Sequence, residues 1–204
     1  MRTLAIDCAT EACTAALFDS DCEMLDWRHD LIGRGHAERL VPMVSELPEK
    51  GRAERILVGL GPGSFTGTRI GLAAARALGI AWGAQVLGIP TLALVAAGGA
   101  KHGINDAVLV VMKGGHGELF VQPYSRDLEP EADFISATPD KAAEIFEHQQ
   151  VLGNGAEQFV QARGHGELTE HLPDARNALC VPAALHIEHL APIYGRAPDA
   201  KLPQ

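Results

Sequence analysis

Ile56-Leu57-Val58-Gly59-Leu60-Gly61-Pro62-Gly63-Ser64-Phe65-Thr66-Gly67-Thr68-Arg69-Ile70-Gly71 decides how the rest of the chain is read. The apolar run 56–60 predicts a buried strand, and Gly71–Trp82 predicts a helix. A Gly-rich loop between them points free backbone N–H groups along a positive helix end, so anion binding is the first chemistry to test. The common catalytic templates fail. No Lys stands in the loop for a Walker phosphate cradle, and Thr66 occupies the place of the third Gly in a dinucleotide fingerprint. Ser64 has Pro62 and Thr66 two residues away, where a hydrolase elbow has Gly.

Upstream, Arg2–Cys8, Cys13–Phe18 and Cys22–His29 predict three strands, with Asp19-Ser20-Asp21 as a hairpin turn. A helix over His36–Leu47 follows, bent at Pro42. Downstream come a short strand Val86–Ile89 and a helix from Pro90 to about Ala97. Gly98–Gly103 reads as a boundary between a unit over 1–100 and a reduced second lobe over 101–204. In the latter, Ala107–Met112 and Leu119–Tyr124 predict strands flanking Lys113-Gly114-Gly115-His116-Gly117. Asp140–His148 predicts a helix, Val151–Gly155 a strand into a turn, and Val181–Leu190 a late helix. An antiparallel meander followed by crossover units predicts an α/β fold that is not a plain doubly wound repeat.

The loop is similar to the signature of the TsaB (YeaZ) family, bacterial proteins needed for the threonylcarbamoyl modification of tRNA adenosine. Leu4–Cys13, His36-Ala37-Glu38-Arg39-Leu40-Val41-Pro42 and Leu87-Gly88-Ile89-Pro90-Thr91-Leu92 resemble the family too. The resemblance is dense over the first half and thin afterwards. It implies a ribonuclease H-like lobe of the actin, sugar-kinase and Hsp70 superfamily, with a reduced second lobe. It also implies a non-catalytic subunit that supports a TsaD-type catalytic partner. Further implied partners are a TsaE-type ATPase, tRNA reached through the complex, and a second copy of the chain when it is alone. ATP would be used by the complex, with no cofactor or metal intrinsic to this subunit. The alternative is a small ATP-dependent phosphotransferase or ATPase of the same superfamily.

Candidate site residues fall in two groups. Asp7 and Thr10, on the first strand and its turn, stand where superfamily members position metal and phosphate; the competing reading is a structural Asp bonding turn amides. The TsaD-type His-x-x-x-His metal pair aligns with Thr91 and Val95 here, which cannot supply it. The second group is a surface. Leu40, Met43, Val44 and Leu47 make one stripe of the first helix. Gly71, Ala75 and Gly79 make a small-residue face on the second, inviting a partner helix, while Ile70, Ala73, Ala74, Ala77 and Ile80 cover the sheet. His36, Phe65 and Arg69 complete that expected interface, with Ser64 and Thr66 beside them.

The remaining residues exclude more than they assign. The histidines at 165, 171, 186 and 189 form no recognisable ligand frame. The four cysteines read as reduced, mostly buried small hydrophobes. Net charge is −9; residues 1–100 hold 9 Lys/Arg against 11 Asp/Glu, and residues 101–204 hold 8 against 15. That balance disfavours direct binding of RNA phosphates. No apolar stretch reads as a signal peptide or membrane span, so a cytoplasmic protein is expected. In the second unit Gly117-Glu118 matches a family Gly-Glu pair, but the Asp-Ala-Arg that precedes it elsewhere is absent. Pro192-Ile193-Tyr194-Gly195-Arg196 resembles a family Pro-x-Tyr-x-Arg element.

Overall fold

The computed structural model describes residues 1–195, so Arg196 lies outside the described residues. Strands β1 (Thr3–Asp7), β2 (Ala12–Phe18) and β3 (Met24–Leu31) form the antiparallel meander; β4 (Arg55–Gly59) and β5 (Gln85–Ile89) join parallel to β1. The sheet order is β3-β2-β1-β4-β5. Helices α1 (His36–Ser45), α2 (Phe65–Trp82) and α3 (Thr91–Ala96) connect and cover it. Leu4 and Ile6 face α1 and α2, while Ala5 faces α3, as strand alternation requires. At the open edge, Trp27 N–H donates to Asp26 Oδ1 (2.8 Å) and Arg28 Nη1 donates to the Trp27 carbonyl (2.7 Å). These bonds occupy the backbone groups that an added strand would use.

The second sheet is built from β6 (Val108–Lys113), β7 (Leu119–Tyr124), β8 (Ile135–Ala137), β9 (Gln150–Leu152) and β10 (Glu167–Thr169), in the order β10-β9-β6-β7-β8. Here β6, β7 and β8 are antiparallel, while β9 and β10 are parallel to β6. This is the plan of the first sheet repeated strand for strand. Helices α4 (Pro139–Ile145) and α5 (Ala156–Arg163) stand where α1 and α2 stand in the first. The repeat is invisible in the sequence because β8, β9 and β10 are only three residues long.

Between the sheets, α3 and the 3-10 turn Ala175–Cys180 share one core with Leu57, Ile89, Val110 and Tyr124. The outer face of the first sheet packs on α1 and α2. That of the second packs on Phe146, Ala156 and Phe159 of its own helical layer.

Three readings need correction. Val181–Leu190 is not a helix: after a 3-10 turn at Ala183–Leu185 the chain runs extended, and Ile187 exchanges two 2.8 Å backbone bonds with Gly88 on β5. Ile193 N–H then donates to the Leu60 carbonyl at 2.7 Å. Residues 187–194 therefore lie on the first sheet. Second, α2 presents the opposite face to the sheet. A Cβ on Gly79 would stand 2.5 Å from Val86 Cγ2, and one on Gly71 would stand 3.6 Å from Cys8 Cβ. The strands already supply bulky Ile56, Val58 and Val86, so small residues at Gly71, Ala75 and Gly79 let the helix approach, with Leu72 packed beside them. Ala73, Ala77 and Ile80 point outward instead, Ile80 being 86% exposed. Third, Leu40, Met43, Val44, Leu47 and Ala75 are buried in the chain's own core beside Leu4, Ile6 and Ile56 and form no external surface. The exposed apolar residues of α1 are Ala37 and Val41.

Candidate functional site

The site forms where the β1–β2 turn meets the Gly-rich loop. Asp7 ends β1 fully inside the protein. Its Oδ1 accepts from Ala9 N–H at 2.7 Å, and its Oδ2 accepts from the Thr91 hydroxyl at 2.8 Å. Thr91 Oγ1 in turn accepts from Gly61 N–H at 3.0 Å. One carboxylate thus ties together the first turn, the loop and the start of α3. Gly59 is required beside it, because a Cβ there would fall 1.8 Å from Asp7 Oδ2. Burial pushes the Asp7 carboxyl up to about 6; the Ala9 amide, the Thr91 hydroxyl and His36 oppose that rise. Thr10 is also buried, and its Oγ1 accepts from Ala12 N–H at 3.2 Å. Both candidate phosphate-side residues are engaged by their own turn.

The loop glycines serve close approach. Ser64 N–H donates to the Ala9 carbonyl at 2.7 Å. Cβ atoms on Gly63 and Gly67 would lie 2.2 and 2.0 Å from the carbonyl oxygens of Ala9 and Cys8. Ser64 Oγ caps α2 by accepting from Gly67 N–H at 3.2 Å. The Ser64 and Gly67 amides are thereby taken by the Ala9 carbonyl and the Ser64 hydroxyl. Gly61 sits at φ 91°, a left-handed conformation that favours glycine, and packs under the Ile193 carbonyl.

His36 is 6% exposed, and its Nε2 lies 3.2 Å from the Ala12 carbonyl, so it belongs to the core and not to an outward face. Beside it a cleft of about 490 Å³ runs between Gly33–Glu38 and the start of α2. Ser64, Phe65, Thr66 and Arg69 are all exposed at that helix end. The Arg69 guanidinium lies 3.6 Å from the Phe65 ring centroid, and its Nε donates to the Tyr194 hydroxyl at 2.9 Å. Phe65 and Tyr194 stack at 5.5 Å. Tyr194 completes this aromatic–guanidinium group from 125 residues away; only the Pro-x-Tyr-x-Arg resemblance hinted at it.

Across the molecule, the second sheet's counterpart of the first turn is Lys113–Glu118, and the counterpart of the Gly-rich loop is Gly153-Asn154-Gly155. Asn154 Oδ1 accepts from Lys113 N–H at 2.9 Å, and Asn154 Nδ2 lies 3.2 Å from both Glu11 carboxylate oxygens. Sequence reading missed this link, since nothing local pairs Glu11 with a residue 143 positions away. Among the described residues, no group of three His, Cys, Asp or Glu side chains is placed to hold a metal. His186 and His189 share no helix, and His171 contacts His102 at 3.1 Å.

Two sheets of one plan, with a helical layer between them and a turn–loop pair on each, define the actin, sugar-kinase and Hsp70 superfamily built on the ribonuclease H-like lobe. A family model described as TsaD, tRNA N6-adenosine threonylcarbamoyltransferase, matches residues 30–183. The chain is 36% identical over 132 residues to the tRNA threonylcarbamoyladenosine biosynthesis protein TsaB of Escherichia coli, covering 62% of this chain and 56% of that one. It is 36% identical over 117 residues to the protein of the same description from Haemophilus influenzae, covering 54% and 48%. It therefore spans about half the length of these curated relatives. The structure of YeaZ from Pseudomonas aeruginosa superposes with a TM-score of 0.81 at 26% identity, covering 95% of this chain and 99% of that one. The chain belongs to the TsaD family, in its TsaB (YeaZ) branch. No helix among the described residues is long and apolar enough to cross a membrane.

Proposed function

We propose that this chain is a non-catalytic pairing subunit of an assembly that places threonylcarbamoyl on tRNA adenosine, supporting a TsaD-type catalytic subunit. The relatives' descriptions supply the pathway. The observation that carries the non-catalytic part is the seating of the Gly-rich loop on the β1–β2 turn. The Gly61, Ser64 and Gly67 amides and the Asp7 carboxylate are satisfied by protein groups, beside the turn where superfamily members engage phosphate. ATP then belongs to the complex, through the TsaD-type subunit and a TsaE-type ATPase, and tRNA is held by the partner, as the acidic balance of this chain suggests.

The pairing surface is the outward face of α1 and α2, with the faces exchanged relative to the sequence reading. Val41 and Ile80 are exposed apolar residues on it, Ala73 and Ala77 let a partner helix come close, and Phe65, Arg69 and Tyr194 stand at its end. In the absence of the catalytic subunit, a second copy takes the same surface. The test is co-purification with a TsaD-type protein, comparing the unaltered chain with Ile80→Arg. Loss of co-elution with an unchanged thermal melt is expected. Undiminished co-elution overturns the assigned surface, and absence of any complex with the unaltered chain overturns the reading itself.

One observation favours the ATP-dependent alternative: the Gly-rich turn Lys113–Gly117 stands opposite the first turn in matching position. Calorimetric titration of the isolated chain with Mg-ATP separates the two, with saturable binding lost in Asp7→Ala favouring the alternative.

A further inference from the structure

Cys8 and Cys13 flank the β1–β2 turn. The register Asp7↔Thr14 continues to place Cys8 opposite Cys13, and their sulfurs lie 3.9 Å apart. Both side chains are buried, and Met43 Sδ lies 3.9 Å beyond Cys13 Sγ. The remaining cysteines, Cys22 and Cys180, are exposed and unpaired, so this is the one dithiol contact among the described residues. Packing alone explains a buried Cys; it gives no reason for two on adjacent strands with sulfurs in contact.

We propose that Cys8 and Cys13 form a redox dithiol that a peroxide-class oxidant converts to a disulfide. The oxidant is small and uncharged, and the cleft beside α1 brings it close. Two of the residues lining that cleft, His36 and Gly67, lie against the carbonyls of Ala12 and Cys8, the turn's own backbone. The pair is asymmetric. The Cys8 S–H bond and Arg39 hold the Cys13 thiol below its usual range, whereas that bond and burial push Cys8 up. Cys13 is therefore the nucleophile and Cys8 the resolving thiol. The Cys13 thiolate attacks one peroxide oxygen; the O–O bond breaks, and the second oxygen leaves with two protons as water, giving a Cys13 sulfenic acid. Cys8 sulfur then attacks the Cys13 sulfur, the S–O bond breaks, and a second water leaves. The peroxide is reduced by two electrons and the dithiol is oxidised by two.

The product would pin the turn on which Gly63, Ser64 and Gly67 rest, fixing the seat of the α2 N-terminus. This inference stands apart from the proposed pairing role and from its test.

The experiment uses the full chain carrying Cys22→Ser and Cys180→Ser, treated with graded hydrogen peroxide under native conditions. Intact mass and non-reducing peptide mapping are read before and after dithiothreitol. The expected result is loss of both remaining thiols, a mass lower by two hydrogens, a Cys8–Cys13 linked peptide, and full reversal by reductant. Adding Cys8→Ser should halt the sequence at a Cys13 sulfenic acid that dimedone captures. Persistence of both thiols, oxidation only as fast as global unfolding measured by hydrogen exchange, or sulfinic acid in place of the bridge overturns the proposal. Should Cys8→Ser fail to fold, the linked peptide in the Cys22/Cys180 background decides alone.

Discussion

Asn154 reaches across from the second sheet to hold Glu11 of the first, donating to its carboxylate at 3.2 Å, while its own Oδ1 receives Lys113 N–H. Glu11 sits in the first half's turn and Asn154 in the second half's loop, so this amide links one member of each turn–loop pair across the gap. A neutral side chain bonded to a charged one across such a gap contributes about 1.5–3 kcal/mol where it is shielded, and less at the exposed Glu11 end. Asn154→Ala should leave each sheet folded but speed amide exchange in the 9–12 and 113–118 turns. Unchanged exchange in both turns would show that the link does not couple the halves.

Helix α2 offers a paired test of which face is inside. Ala75 is fully buried, so Ala75→Arg should unfold the chain or cost about 3–5 kcal/mol, the scale of an unpaired buried charge. Ile80→Arg on the opposite face should alter stability by no more than about 0.5 kcal/mol. Urea unfolding of the two variants checks this; equal midpoints would invalidate the packing described.

Asp7 sets a pH dependence. The folded carboxyl keeps its proton up to about pH 6, whereas the unfolded group releases it near the ordinary 3.8, so folding takes up a proton between those values. Stability therefore falls as pH rises from about 4 to 6, by at most about 3 kcal/mol from this group, and levels off above. Asp7→Asn should flatten that slope while keeping the acceptor for Ala9 N–H. Denaturant unfolding at half-unit pH steps compares the two proteins, and identical slopes would remove Asp7 as the cause.

The glycines of the loop and of the 113–117 turn should respond differently. Gly67→Ala forces a methyl against the Cys8 carbonyl and should cost about 1–3 kcal/mol. Gly115→Ala meets nothing within 4 Å and should be near neutral. A circular dichroism melt of each variant suffices, with equal losses counting against the close-packed loop.

The isolated chain should retain little tRNA. With 15 acidic against 8 basic residues in its second half, sub-micromolar retention on a filter at physiological salt would contradict the assignment of tRNA to the partner.

The first sheet was legible because its signals are local: β1 and β4 are apolar runs bounded by turn residues, and the loop has a distinctive composition. In the second half β6, β7, β9 and α4 were legible too, whereas β8, β10 and α5 were not, because isolated strands of three residues carry no period and α5 lacks a side-chain cap. The inward face of α2 misled for a physical reason. A stripe of Gly and Ala permits close approach to any neighbour, and sequence alone does not say whether that neighbour is a partner helix or the chain's own sheet. From sequence, Asp7 reads as either a phosphate-side or a turn-bonding residue, and Thr91, whose hydroxyl satisfies it, stands out only as a missing metal ligand. The Tyr194–Arg69 and Asn154–Glu11 contacts were beyond reach, since each joins residues more than a hundred positions apart.

The return of residues 187–194 to β5, Leu60 and α2 sets an order of events during synthesis. The ribosome delivers the first sheet and its helices early, and domains emerging first generally fold first. Here the strand edge at Gly88 and the underside of Gly61 stay uncovered until the segment from Ile187 to Tyr194 has left the exit tunnel. The earliest-made half is thus the last to be completed, and a nascent chain stalled before residue 187 carries an exposed β5 edge for chaperones to recognise.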